Sequence, residues 1–404
     1  MRKLLVSLFA LTGIALLAAA ATIVTYEEAE AIPAFARKYR MSCTTCHAPI
    51  PRLKAYGDDF AGNGFVLEDQ DAPRYYVETG DTDLDLIRDF PFAVRMEGFI
   101  QHQTYTDQPD MSLPYNLKFL TGGAITNNVA YYFYFYLSEH GEVAGIEDAY
   151  IMFNNLFDSE LDIYVGQFQV SDPLFKRELR LTLEDYPIYK LAPGNSNIDL
   201  AYDRGLMFTY GLETGTDIIA EVINGNGLVE AGDLGTFDHD KYKNVAGRIS
   251  QDVGEYVRIG VFGYYGKEDS PTDSVAAVAE PNEVWLAGPD MSLSYKEKVE
   301  LNLQYLERRD DNPLFAMKDS IPSSEIESRG GLAELIIMPD GARSKYYGVV
   351  LYNKIESDVT DAEYETITGH VGYLLRTNLR LVAENTYDIT NEENRFSIGF
   401  VSAF

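Results

Sequence analysis

The chain has 404 residues, 63 of them acidic and 33 basic, for a formal net charge of −30. That balance excludes nucleic acid as a natural partner; it fits either attraction of cations such as metal ions or simply solvated acidic loops. Two cysteines cannot supply a disulfide framework, while 29 tyrosines and 21 phenylalanines give a high aromatic content.

Arg2 and Lys3 precede an uncharged apolar run, Leu4 to Ala21, and small residues follow. Residues 1–31 therefore read as a secretory signal peptide, cut after Ala21 or after Ala31 in Ala29-Glu30-Ala31. A retained membrane anchor is the other reading of that run. No later stretch is long and apolar enough for a membrane helix, which leaves a soluble exported protein or a barrel.

Residues 32–65 hold both cysteines and a short helix candidate. Residues 66–90 are dense in acids (Glu68, Asp69, Asp71, Glu78, Asp81, Asp83, Asp85, Asp89) and read as a linker. From residue 91 to residue 404 the chain repeats alternating segments of about ten residues, the length of a transmembrane β-strand. Phe92, Val94, Met96 and Ile100 alternate with Arg95, Glu97 and Gln101; Phe133, Phe135 and Leu137 alternate with Tyr132, Tyr134, Ser138 and His140. Near the end, Phe396, Ile398, Phe400 and Phe404 share one face. A period of two sends one set to lipid and the other to a polar lumen.

These segments predict an all-β fold, a transmembrane barrel of about sixteen antiparallel strands. The strands start near 91, 113, 128, 145, 160, 203, 215, 243, 255, 283, 298, 331, 345, 364, 378 and 394. Tight connections at 126–128, 213–215, 252–254 and 340–342 alternate with long ones at 171–202, 226–242, 266–282 and 309–330. Short turns on one rim and long loops on the other is the bacterial outer-membrane pattern, and an even strand count puts both barrel ends in the periplasm. The long loop 171–202 carries Lys176, Arg177, Arg180 and Lys190 among Asp172, Glu178, Glu184 and Asp185, and reads as a solvated loop of mixed charge.

Cys43-Thr44-Thr45-Cys46-His47 carries the chemistry. Two thiols at this spacing attach to the vinyl groups of one heme c, and the adjacent His47 ligates its iron from the proximal side. A redox CxxC pair or half of a zinc site are the other readings; the first lacks its βαβ setting and the second lacks further ligands nearby. So short a segment cannot easily bury a heme alone, and a barrel of this size has a lumen wide enough to hold it. The expectation is an α-helical heme segment inside the lumen, with Phe35, Phe60 and Phe65 near the cofactor. The distal iron ligand is open. Residues 32–90 contain no histidine but His47, and Met41 is too close to Cys43 to reach the opposite face. Strand parity turns His140, His370 and Met152 to the lumen as distal candidates and His102 outward, though each also reads as plain lining.

The residues around this motif resemble a known family. Ala31-Ile32-Pro33-Ala34-Phe35-Ala36-Arg37, the CxxCH itself, Pro51-Arg52-Leu53, Gly57, Phe60 and Gly64 look like the fused cytochrome–porin proteins, best known as outer-membrane iron oxidases. Lys38-Tyr39-Arg40 and Ile50 stand where the iron oxidases carry Gln-Thr-Gly and Phe. Glu147-Asp148-Ala149-Tyr150, Val165-Gly166-Gln167-Phe168, Asp203-Arg204-Gly205 and Asn224-Gly225-Asn226-Gly227 are similar to landmarks of the phosphate-selective porins. The first resemblance implies one-electron transfer across the outer membrane, with iron(II) or another extracellular metal as one redox partner and a periplasmic c-type cytochrome as the other. Such a protein is an electron carrier first and an oxidoreductase only in that sense. The second implies the alternative, a porin for small anions with a structural or sensory heme. A peroxidase reading needs an open distal site with a polar catalytic group, which the sequence does not identify.

Overall fold

The computed structural model describes residues 34–67, 76–77, 80–84, 86–87, 90–232, 235–270, 279–317 and 325–404. The expected signal peptide and most of the acidic linker lie outside the described residues.

Sixteen strands form one closed antiparallel meander. After the two-residue strands β1 (Tyr76–Val77) and β2 (Leu86–Ile87), which pair with each other, come β3 (Phe92–Gln103), β4 (Gln108–Ala124), β5 (Val129–Glu139) and β6 (Gly145–Leu156). Next are β7 (Leu161–Gln169), β8 (Tyr202–Leu212), β9 (Thr216–Ile223), β10 (Asn244–Val253) and β11 (Val257–Glu268). Then follow β12 (Asn282–Tyr295), β13 (Val299–Asp310), β14 (Ile326–Ile337) and β15 (Tyr346–Ser357). The last three are β16 (Tyr364–Arg376), β17 (Leu379–Asp388) and β18 (Glu393–Ala403). β18 pairs with β3, from Arg395↔Gln103 to Ala403↔Arg95, and closes the ring.

Alternation decides which face each residue takes. Ile100, Phe133, Val261, Val350 and Val371 are among the large apolar side chains exposed on the outside, where lipid covers them. Arg95, Glu97, Tyr134, Glu334 and Glu384 lie on the opposite parity and point into the lumen, where they pair with each other or with inserted chain. One rim carries short turns such as 213–215, 254–256 and 296–298, and it also holds the start of β3 and the end of β18. The other rim carries the long connections, including 170–201 and 224–243. Short turns mark the periplasmic rim. Two strands begin earlier than the pattern indicates, at Gln108 rather than 113 and at Ile326 rather than 331. Both extensions are polar sequence beyond the apolar band, where period-two alternation has nothing to bury.

The lumen departs from the polar lining expected of it. Phe168, Phe262, Leu306, Leu332 and Leu351 face inward and pack with Tyr186, Ile188, Tyr189, Leu191, Ile198 and Leu200 of the connection 170–201. That connection is folded into the barrel, so the solvated-loop reading is wrong, and its charges explain why. Glu178 accepts from Lys118 Nζ (3.1 Å) and Tyr134 Oη (2.6 Å), and Glu184 from Arg395 Nη2 (2.6 Å). Glu384 accepts from the backbone N–H groups of Leu183 (2.7 Å) and Glu184 (2.9 Å). Buried charges are tolerated only when partnered, and here the wall supplies the partners.

Candidate heme-binding segment in the periplasmic mouth

The N-terminal segment enters the barrel from the short-turn rim. It comprises α1 (Ala34–Tyr39), a single 3-10 turn at Cys43–Thr45, and α2 (Ala55–Gly62). The 3-10 turn starts at Ser42, whose hydroxyl accepts from Thr44 N–H at 3.3 Å. Backbone bonds from His47 N–H to Cys43 O (2.9 Å) and from Lys54 N–H to Cys46 O (2.8 Å) fold the motif on itself. Gly57 lets α2 lie on that turn, since a Cβ there would stand 2.4 Å from Cys46 O. Gly64, with φ of +63°, seats the segment on the wall, where a Cβ would meet Asn154 Oδ1 at 2.9 Å.

Three anchors hold the segment to opposite sides of the ring. Phe35, Phe60 and Phe65 form one aromatic cluster, with Phe35 stacked on Phe65 at 4.7 Å between centroids and Phe65 against Tyr132 at 5.9 Å. Cys46, Ala130 and Met152 pack in the same cluster, and Asn154 Nδ2 donates to Gly62 O at 2.6 Å. Across the lumen, Arg52 Nε donates to Glu300 on β13 at 3.0 Å, a charge-assisted fork. Between them, Ala48 packs with Ile336 and Val349 of the wall and with Leu181 of the inward connection. The segment from below and the connection from above meet there.

His47 is prepared as a ligand. Its Nδ1 faces Pro51 O at 2.9 Å and Arg52 O at 3.2 Å. Carbonyl oxygens only accept, so Nδ1 carries the proton and Nε2 keeps its lone pair. Burial lowers the His47 pKa from the usual range, which keeps the imidazole neutral, as iron ligation requires. Both thiols are free, and burial raises the pKa of Cys43 and of Cys46. Cys43, Thr44 and His47 face Met338, Ala342 and Tyr347 across a narrow cleft with about 310 Å³ of empty space, its open mouth included. Of the two free thiols, Cys43 borders this cleft together with His47, while Cys46 packs in the cluster of Phe35, Phe60 and Phe65, which the cleft does not include. The donor set itself, two free thiols and an imidazole with an unengaged Nε2, fits a covalently attached heme.

The distal candidates are scattered. Met152 faces the lumen but packs in the Phe60 and Phe65 cluster. His370 faces the lumen with both nitrogens engaged, Nδ1 with Glu384 (2.9 Å) and Nε2 with Tyr347 Oη (3.2 Å). His140 lies at the rim opposite the heme motif. It ends β5 at the far rim, exposed, at φ of 51° against the Tyr115 ring, because the strand stops one residue before it. His102 is partly exposed near Asp107, as expected from its outward parity. The wall side of the cleft was missed by sequence reasoning: Met338, just past β14, and Tyr347, in β15, lie more than 290 positions from Cys43, and no local pattern ties them to it.

No family model matches the chain, and no curated protein matches it. Solved structures resemble it in fold. An anion-selective porin from Comamonas acidovorans has a TM-score of 0.56 at 8% identity, over 78% of this chain and 99% of that one. The outer membrane channel DcaP of Acinetobacter baumannii scores 0.54 at 11% identity, over 78% and 97%. OmpT of Vibrio cholerae, in its trimer form, scores 0.53 at 11% identity, over 78% and 99%. The fold is a porin-like barrel of the bacterial outer membrane, set in a lipid bilayer.

Proposed function

We propose that this barrel carries one heme c on Cys43, Cys46 and His47 and moves single electrons across the outer membrane, between an extracellular metal ion such as iron(II) and a periplasmic c-type cytochrome. One observation carries the reading: a CxxCH segment wedged into the periplasmic mouth shares one buried apolar cluster, through Ala48, with Leu181 of the chain that enters from the other rim. Bound there, the heme supplies one-electron chemistry at its iron. The chain's own part is to hold and enclose. Cys43 and Cys46 fix the cofactor covalently, Pro51 and Arg52 carbonyls orient His47, and the Arg52–Glu300 pair locks the segment to the wall.

The test is direct. Purified protein is expected to keep a heme stain through denaturing electrophoresis and to show the reduced spectrum when iron(II) is added without oxygen. Cys43→Ala with Cys46→Ala is expected to abolish the stain, and a full stain in that double variant defeats the assignment. In liposomes with reduced dye inside and an iron(III) chelate outside, dye oxidation should require heme-loaded protein.

A second reading is a porin for small anions with a structural or sensory heme, and the likeness of the barrel to an anion-selective porin favours it. Between segment and inward connection lies a wider cavity, with about 810 Å³ of empty space, its openings included, bordered by Arg52, Lys176, Arg180, Arg248 and Arg258. Each of those arginines is paired with a carboxylate, on Glu300, Asp185, Asp290 and Asp252 respectively. High single-channel conductance of the intact protein would establish this second reading over the first.

A further inference from the structure

The cleft beside His47 has one wall made by the segment and one made by the barrel. The barrel side is centred on the turn 338–345, the longest connection of the short-turn rim. Among the barrel side chains bordering the cleft, Met338 and Tyr347 carry the atoms that ligate heme iron in proteins, a thioether and a phenol. Tyr347 is committed elsewhere. Its hydroxyl accepts from Arg380 Nη1 at 2.7 Å and meets His370 Nε2 at 3.2 Å, and its ring stacks on His370 at 5.5 Å between centroids.

Met338 has no such commitment. It continues the inward parity of Glu334 and Ile336 beyond the end of β14 and is 4% exposed. Its backbone is pinned, with its N–H donating to Lys298 O (2.7 Å) and its carbonyl accepting from Gly341 N–H (2.9 Å). The thioether packs in one apolar cluster with Ala48, the residue after His47. A soft, polarizable sulfur on a fixed backbone, across a cleft from an imidazole whose Nδ1 is held by two carbonyls, is the donor set of a six-coordinate iron.

We propose that Met338 is the second axial ligand of the heme, opposite His47, so that barrel and heme segment each supply one iron ligand. This rests on the heme c reading above. A thioether in that position favours low-spin iron, raises the reduction potential relative to two imidazoles, and keeps exogenous ligands off.

The test uses full-length, heme-loaded protein. Heme stain establishes attachment first, and its absence from the wild type would overturn the heme reading itself, together with this ligand. In stained protein, the ferric form is expected to be low-spin by electron paramagnetic resonance, to show the weak red charge-transfer band of thioether ligation, and to bind no carbon monoxide when freshly reduced. Met338→Ala should lose the band, turn high-spin and take up one carbon monoxide per heme. Met338→His should stay low-spin, lose the band and shift the midpoint potential downward. Met152→Ala and Tyr347→Phe should keep the wild-type spectrum. A Met338→Ala or Met338→His protein with the wild-type band and potential overturns the proposal, as does loss of the band in Tyr347→Phe alone.

Discussion

At the scale of single residues, the proposed heme motif is local, because covalent attachment demands a fixed sequence spacing. Cys43, Cys46 and His47 are neighbours in the chain, and the structure adds roles for Pro51, Arg52 and Gly57, which the sequence marked only by resemblance. The carbonyls hold Nδ1, and the missing side chain admits α2. The barrel side was not legible. Parity says which residues face inward but not which height or arc of the ring they occupy, so His370 and Met152 were placed in the lumen without being placed apart from the cleft. A prediction belongs to this scale. In heme-free protein, burial raises both thiol pKa values above the ordinary 9.0, so at pH 8 each holds less thiolate than a free cysteine. Alkylation by iodoacetamide, followed by mass spectrometry, should therefore be slower in the folded barrel than in urea at pH 8, and should accelerate only as pH climbs past that ordinary value. Equal rates folded and unfolded at pH 8 would contradict the buried geometry.

For the elements, strands were readable because lipid imposes a strict period of two, and it is imposed only within the apolar band. Where β4 and β14 run past that band, through Gln108-Pro109-Asp110 and Glu327-Ser328-Arg329, the signal fades and their starts were set five residues late. The inward connection misled for a different reason. Mixed charge looks the same in sequence whether water or a barrel wall answers it, and here Arg177 pairs with Asp185 while Glu178 and Glu184 find the wall. Its firmest anchor is Arg308 of β13, 2% exposed. That guanidinium binds Asp310 through two nitrogens and donates to Leu191 O (2.5 Å), Ile198 O (2.7 Å) and Ser196 Oγ (3.1 Å). Arg308→Leu strips all of these at once and leaves Asp310 buried with only Asn282 beside it. A loss of about 3–5 kcal/mol is expected, read as a lowered urea midpoint in a folded-barrel gel-shift assay. An unchanged midpoint would mean that the connection does not depend on this anchor.

At the scale of the whole molecule, two inserted pieces fill one ring, and topology and permeability follow. Epitope tags placed in 226–242 should be reachable on intact cells while a tag in 340–342 is protected, and the reverse pattern would invert the barrel. Deleting residues 34–65 should raise conductance in planar bilayers. The rise should stop short of an open porin, because the connection 170–201 still crosses the lumen; a further gain is expected when Arg308→Leu is added. Full porin conductance from the deletion alone would show that the connection is no barrier. The arrangement of that connection also has a mechanical side. Glu178 reaches β4 and β5, Asp185 O reaches Asn353 on β15, Glu184 reaches β16 and β18, and Ser196 reaches β11. Such contacts radiate like spokes from a hub to a wheel's rim, and a spoked wheel resists being squeezed into an ellipse. Lateral pressure from the bilayer, which would flex a hollow cylinder, meets a braced one here. Any traffic that requires the wall to breathe must first break spokes, whereas the electron transfer proposed above would leave every one of them in place.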